Sequence, residues 1–327
     1  MITYRERYKV RTKDQSGCWA ARRAGGVVGE NMCGIVGLHL KTPVLHARLG
    51  ELMAPMLDCM SSRGPDSAGI ALFDEAPSGR VKLSLHATDA CDWDALGRAI
   101  AEDVEASVEV EALGDVAVLS VEAGVDLAVA SLRRHGRSLT LVGTGHSMEI
   151  FKDVGLPREI IARYGIEKRS GYQGVGHTRM ATESAVTTEH SHPFAPAADV
   201  ALVHNGSFSN PATVRRRLER EGIRFDTDND SEVCARFLAR QMHHGADLGD
   251  ALHMVQKDLD GFFTLLVATG DQFAVLRDSF ACKPAVIAET NDYVAVASEY
   301  HALAGLPGIG DARVFEPVPE EVYTWTR

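Results

Sequence analysis

Met32-Cys33-Gly34-Ile35-Val36-Gly37-Leu38 sets a cysteine directly after a methionine and ahead of a short apolar run punctuated by glycine. A cysteine in that position can become the first residue of a mature chain. It then carries a thiol nucleophile and a free α-amino group in one residue. An unperturbed thiol, with a pKa near 8.5, is only about a few per cent ionised at neutral pH and needs a base. An α-amino group titrates at about 7.7–8.0 and can be that base. With nothing else in its favour, a lone cysteine on an apolar strand is a small hydrophobe. The reading of Cys33 therefore depends on what the rest of the chain supplies.

Residues 1–31 are basic and lack hydrophobic periodicity. Arg22-Arg23 is followed by no apolar region before Met32, so an export signal is rejected. Two readings stay open: a propeptide whose removal exposes Cys33, or translation that begins at Met32. The second is preferred, because Gly29-Glu30 can be encoded by a purine-rich run able to act as a ribosome-binding site. Either way residues 1–32 are expected to lie outside the fold, and 33–327 to form the working domain.

The 327 residues suffice for one large domain or two modest ones. A net charge of −11 argues against a nucleic-acid or membrane-surface binder, since both want a basic face. No apolar run approaches the roughly 18–20 residues of a membrane helix. The six cysteines contain no Cys-x-x-Cys pair, which suits a reducing compartment and gives no zinc or disulfide framework. A cytoplasmic location is expected.

The apolar pattern predicts a strand over 33–40, a helix over 45–60 and a strand over 68–73. Residues 80–146 read as a separate unit: strand 81–88, helix 93–104, two strands around Gly114-Asp115, helix 125–135 and strand 138–142. That order, βαββαβ, suggests an inserted ferredoxin-like module with a structural or docking role. Beyond it come helices at 157–164, 211–221, 230–242 and 248–259, and strands at 262–268, 273–277, 285–288 and 293–298.

Residues able to serve acyl chemistry crowd into 176–206. Val203-His204-Asn205-Gly206 offers an amide side chain and an unobstructed backbone N–H, the donors an oxyanion needs. The competing reading is an Asn-Gly hairpin turn. Gly176-His177-Thr178-Arg179 places an arginine just beyond a strand, suited to a substrate carboxylate. Asp230, at the head of a helix, can take a substrate ammonium or simply cap the helix. His190-Ser191-His192 lacks a third metal ligand. Asp226-x-Asp228-x-Asp230 has Ser231 and Phe237 where a calcium loop needs Gly and Glu. Gly143-Thr144-Gly145 lacks the rest of a dinucleotide fingerprint. No metal and no cofactor on this chain are expected.

Cys33-Gly34-Ile35-Val36-Gly37, Arg63-Gly64-Pro65-Asp66-Ser67, Gly176-His177-Thr178-Arg179, His204-Asn205-Gly206 and Asp230-Ser231-Glu232 stand in this order. Together they resemble the class II glutamine amidotransferases, which are N-terminal-nucleophile hydrolases. The resemblance implies an α+β fold of four layers, αββα, interrupted by the 80–146 module. It implies that Cys33 attacks the side-chain amide of L-glutamine and that Asn205 and Gly206 form the oxyanion hole. Arg179 and Asp230 would clamp the substrate, His192 would lie near its pocket, and Arg63 would support the Cys33 strand. Met180 stands where sugar-amidating members carry Trp, and the 179–185 stretch looks most like separate glutaminase subunits of glutamate-synthase-type complexes, including N-methylglutamate synthase. The chain ends where other members begin a synthase domain. Synthase partners carrying flavin and iron–sulfur centres are therefore implied. A non-catalytic regulatory or scaffold subunit, or a hydrolase of another amide, are the rival readings.

Overall fold

The computed structural model describes residues 33–75, 79–136, 138–180 and 185–327, and the expectations for residues 1–32 lie outside these. Strands and helices are numbered along the chain. β1 (Gly34–Leu40) is buried along its whole length, and the two-residue period divides its side chains between two cores. Val36, Leu38 and Leu40 face one core and Ile35 the other. A strand buried on both faces must lie inside a layered structure.

β1 pairs antiparallel with β8 (Gln173–Arg179) on one side and β14 (Tyr293–Ala297) on the other. β2 (Ser67–Phe73) and β7 (Met148–Val154) continue this sheet past β8. β13 (Val286–Glu289) and β15 (Arg313–Phe315) continue it past β14. The second sheet runs in the order β16 (Val322–Thr326), β12 (Gln272–Arg277), β11 (Gly261–Thr269), β10 (Val200–Phe208) and β9 (Phe194–Ala197).

Three apolar clusters stack these elements. α1 (Leu49–Cys59) and α4 (Pro157–Arg163) bury Leu52, Met53, Met56 and Ile160 against the outer face of the first sheet. α5 (Pro211–Arg220), α6 (Asp230–His243) and α7 (Leu248–Asp258) bury Leu218, Phe237 and Leu252 against the outer face of the second. Between the sheets Ile35, Val175, Val203, Leu266, Phe273 and Val296 form the middle core. The layers are thus helix, sheet, sheet, helix. Among the described residues no helix is long and apolar enough to cross a membrane.

A third antiparallel sheet runs in the order β4 (Val108–Leu113), β5 (Val116–Val121), β3 (Val81–Ala87), β6 (Leu139–Gly145), and Val116 and Val118 of β5 join the outer core of the first sheet. It packs on α2 (Trp93–Val104) and α3 (Val125–His135), with Leu83, Trp93, Ile100, Leu119 and Leu132 in its own core. Phe73 and Met148, which flank this unit in the chain, pair with each other on β2 and β7. The unit therefore enters at one edge of the first sheet without breaking it.

The helix expected over 45–60 divides into a 3-10 segment, Pro43–Arg48, and α1, because Pro43 opens a tight turn there. β7, β9, β15 and β16 were not expected. β7 carries Glu149, Lys152 and Asp153 among its apolar residues, and β9 holds Pro196, which weakens any strand pattern.

Buried polar contacts cross between the sheets: Gln173 on β8 donates from Nε2 to the carbonyl of Thr269 on β11, and a second contact lies nearer Cys33. His177 on β8 donates from Nε2 to the carbonyl oxygen of His204 on β10, at 3.0 Å. A carbonyl only accepts, so Nε2 carries the proton. Burial pushes the His177 imidazole down to about 3 and His192 well below its ordinary value, so both are neutral.

Phe273 is fully buried between the sheets, where a Cβ on Gly37 would come within 2.7 Å of its ring. Phe273→Ala is expected to destabilise by about 3–5 kcal/mol, read as a shifted urea midpoint. The histidines give a pH dependence. The unfolded chain binds a proton near pH 6.5 that native His177 refuses down to about 3, so stability present above 6.5 is lost as pH falls. Each such histidine contributes a slope of about 1.4 kcal/mol per pH unit across that window. Urea unfolding between pH 7 and pH 5 should show this slope, and His177→Asn should make it shallower. An unchanged slope in the variant would rule His177 out as a source.

Candidate functional site

Cys33 is half-buried immediately before β1. Its Sγ lies 3.8 Å from the carbonyl oxygen of Met180, just beyond the end of β8, because Gly34 pairs with Thr178 across the ladder. Burial pushes the thiol up, partly offset by the backbone at Met180 and by the charges of Arg179 and Lys283. Arg63 donates from Nε to the Cys33 carbonyl at 3.2 Å and pairs with Glu299 at 2.7 Å. Arg63 thus grips the backbone of Cys33 from the turn after α1. That turn needs Gly64, where a Cβ would meet the carbonyl carbon of Thr178 at 2.4 Å.

The Asn205-Gly206 pair is no hairpin turn. β10 runs straight through it, with Asn205 opposite Thr264 and Gly206 opposite Phe263 on β11. Gly206 holds a φ of 153°, and a Cβ there would sit 1.9 Å from the carbonyl oxygen of Phe262, so only glycine fits. Asn205 is 1% exposed, and its Nδ2 is buried without a hydrogen-bond partner. A buried donor left unmade costs about 1–3 kcal/mol and is rarely kept without a use.

Asp230 is the first residue of α6, and the N-cap is Asn229, whose side chain accepts from Ser231 N at 2.9 Å. Asp230 accepts from the backbone N–H of Phe208 at 2.9 Å, tying the helix start to the end of β10. Ser231 lies 2.8 Å from His204 Nδ1. Arg179 is 5% exposed, donates to the Ala185 carbonyl at 2.9 Å and feels the charges of Cys33 and Asp230. Burial lowers its guanidinium pKa, an effect those neighbours oppose.

His192 lies inside the protein, 4% exposed. Its ring stacks on His177 at 4.0 Å, meets Phe194 edge-on at 4.9 Å and lies 6.4 Å from His204. Of the 179–185 stretch, residues 181–184 lie outside those described. The acidic run at 226–230 is spread over separate partners: Asp226 to Arg236, Asp228 to His190 and Asp230 to Phe208 N.

Sequence reasoning missed three contributors. His177 ties the two sheets together. Glu232, 3% exposed, accepts from Asp226 N, Thr227 N and Thr227 Oγ1 and so shapes the loop before α6. Lys152 is buried beside the loop that carries His192. The Gly-His-Thr-Arg and Asp-Ser-Glu motifs contain the first two, whereas nothing in the sequence around Lys152 signals its role.

The first sheet thus delivers Cys33 and Arg179, and the second delivers Asn205, Gly206 and, through α6, Asp230. Residues 177–305 match a family described as a glutamine amidotransferase domain. The glutamine amidotransferase-like protein GlxB of Rhizobium meliloti (strain 1021) is 49% identical over 298 residues, covering 90% of this chain and 98% of that protein. An amidophosphoribosyltransferase of Methanocaldococcus jannaschii is 28% identical over 193 residues, 58% of this chain and 41% of that one. The solved glutamine phosphoribosylpyrophosphate amidotransferase of B. subtilis superposes with a TM-score of 0.54 at 20% identity, over 89% of this chain and 47% of that one. The sheets, the residues they bring together and these relatives agree: the chain belongs to the class II glutamine amidotransferases, a family of enzymes whose substrate is glutamine.

Proposed function

We propose that this chain is a glutaminase subunit that hydrolyses L-glutamine to glutamate and passes the ammonia to a synthase partner. The observation that carries the reading is the buried, unpartnered Asn205 Nδ2, beside a glycine N–H, on a strand tied to the Cys33 sheet. Residues 33–327 form the working domain and 1–32 are removed or never made, which frees the Cys33 nitrogen. That amine takes the thiol proton, and Sγ adds to the side-chain amide carbon of glutamine. The developing oxyanion is met by Asn205 Nδ2 and Gly206 N–H. Collapse of the adduct breaks the C–N bond, and ammonia leaves with the transferred proton. Water then attacks the thioester, releasing glutamate and restoring the thiol.

Arg179 takes the substrate carboxylate and Asp230 its ammonium, while Arg63 fixes the cysteine backbone and His192 backs the oxyanion strand. The 80–146 unit is read as a ferredoxin-like docking module. Its chain order, βαββαβ, and its sheet order β4-β5-β3-β6 support this. The partner is a glutamate-synthase-type or N-methylglutamate-synthase-type complex with flavin and iron–sulfur subunits. The resemblance of the 179–185 and 191–194 stretches supports that choice. The setting is cytoplasmic.

Intact-mass measurement of the purified protein should give a chain starting at Cys33, with glutamine-dependent ammonia release that Cys33→Ala abolishes. A chain that keeps residues 1–32 and releases no ammonia favours the scaffold reading, and equal rates on other amides favour a broader hydrolase. Ammonia from processed Cys33→Ala would sink the mechanism. Asn205→Ala should lower kcat about 10²–10³-fold. Arg179→Ala should mainly raise KM, since it removes ground-state binding, and an unchanged KM would reassign the carboxylate clamp.

A further inference from the structure

Lys152 is 4% exposed on β7, next to Gly69 across the ladder to β2. A Cβ at Gly69 would meet the carbonyl oxygen of His192 at 2.2 Å, so the segment carrying His192 lies directly over this pair. Lys152 Nζ donates to the carbonyls of Ser191 at 2.8 Å, Pro193 at 3.4 Å and Glu189 at 3.5 Å. An ammonium has three donors, and here three carbonyls that bracket His192 receive them. The Phe194 ring lies 5.2 Å from the amine.

The rest of the segment is held from the substrate side. Arg179 donates to Ala185 O, Asn229 Nδ2 to His190 O, and Asp228 pairs with His190 at 2.7 Å. We propose that Lys152 is a positioning residue, fixing segment 185–193 so that His192 stays packed against the oxyanion strand and Arg179 stays aimed at the substrate carboxylate. This rests on the glutaminase reading above.

Stability alone does not account for the lysine. A buried charge is often replaced by an apolar side chain of similar volume without loss. What the apolar replacement cannot do is hold three backbone oxygens at once. Burial pushes the amine down to about 8, against the opposing pull of Glu189, Glu232 and Asp226, so it is mostly charged at neutral pH. A cavity of about 750 Å³ between α3 and β6 on one side and β9 and α6 on the other has Lys152 and Glu189 in its wall. Shortening the side chain to alanine would extend this cavity toward the place the amine holds.

The test uses Lys152→Ala with ethylammonium as the replacement cation and ethanol as its neutral counterpart. Two readouts are taken: the glutamine KM and kcat, and amide hydrogen exchange across 187–194, which needs no turnover. Lys152→Ala should raise KM and speed exchange by about tenfold each, the worth of a charge-assisted hydrogen bond, with a smaller fall in kcat. Ethylammonium should restore both readouts and ethanol neither. Unchanged KM and exchange, or equal rescue by ethanol, would overturn the proposal. If the alanine variant does not fold, Lys152→Met decides it on the same split of KM from kcat and the same exchange rates. If the wild-type enzyme releases no ammonia from glutamine, the glutaminase reading has failed, and hydrogen exchange with and without ethylammonium still decides the role of Lys152.

Discussion

The hydrogen bond from His177 to the His204 carbonyl joins the two halves of the site through the middle of the fold. Two sheets packed only by apolar side chains can slide against each other at small expense, because dispersion and hydrophobic burial are non-directional. A buried N–H facing a carbonyl is directional and expensive to break without a substitute. His177 is one residue from Thr178, which pairs with Gly34 beside Cys33, and His204 is one residue from Asn205. The bond therefore fixes the separation of Cys33 from Asn205 more tightly than any apolar contact could. The neutral state of His177 follows from the same burial, since a cation there would face the middle core and Arg179.

Much of this was legible in the sequence, for definite reasons. α2 and α3 run over the residues expected, because apolar spacing and the Asp92 and Gly136 caps agree there. β1 read correctly because it is a short apolar run at the start of the working domain, and all seven of its residues are buried. The Asn-Gly pair, by contrast, has a local reading as a turn, and only its distant partner β11 keeps it extended. That partner lies beyond the helices α5 to α7, and no local pattern reports it. Lys152 was invisible for the same reason. Its three acceptors are backbone oxygens on another segment, and backbone carbonyls carry no sequence signature.

The histidines illustrate how motif residues can be read for the wrong purpose. His190-Ser191-His192 suggests metal ligation by spacing, yet the chain turns so that the two rings part. His190 faces Asp228 on the surface side, while His192 goes inward against His177. His204 meets Ser231, and Ser231 in turn meets Asp230. His190 thus points away from the other three rings, which pack together behind β10.

This packing also bears on which group can be the base for Cys33. A thiol pushed up by burial ionises less readily than one in water, and Arg179 and Lys283 offset only part of that. A base must therefore accept the proton within the site. His177 has its Nε2 proton committed to the His204 carbonyl, and burial lowers its basicity far below that of a useful acceptor near neutral pH. His192 and His204 are lowered by the same burial. The Cys33 side chain meets the Met180 carbonyl, which cannot be protonated at working pH. On the proposed reading, this leaves the α-amine of Cys33 itself, whose ordinary pKa lies near the operating pH. The burial that silences the histidines as bases is thus the condition under which a nucleophile carrying its own base is worth having.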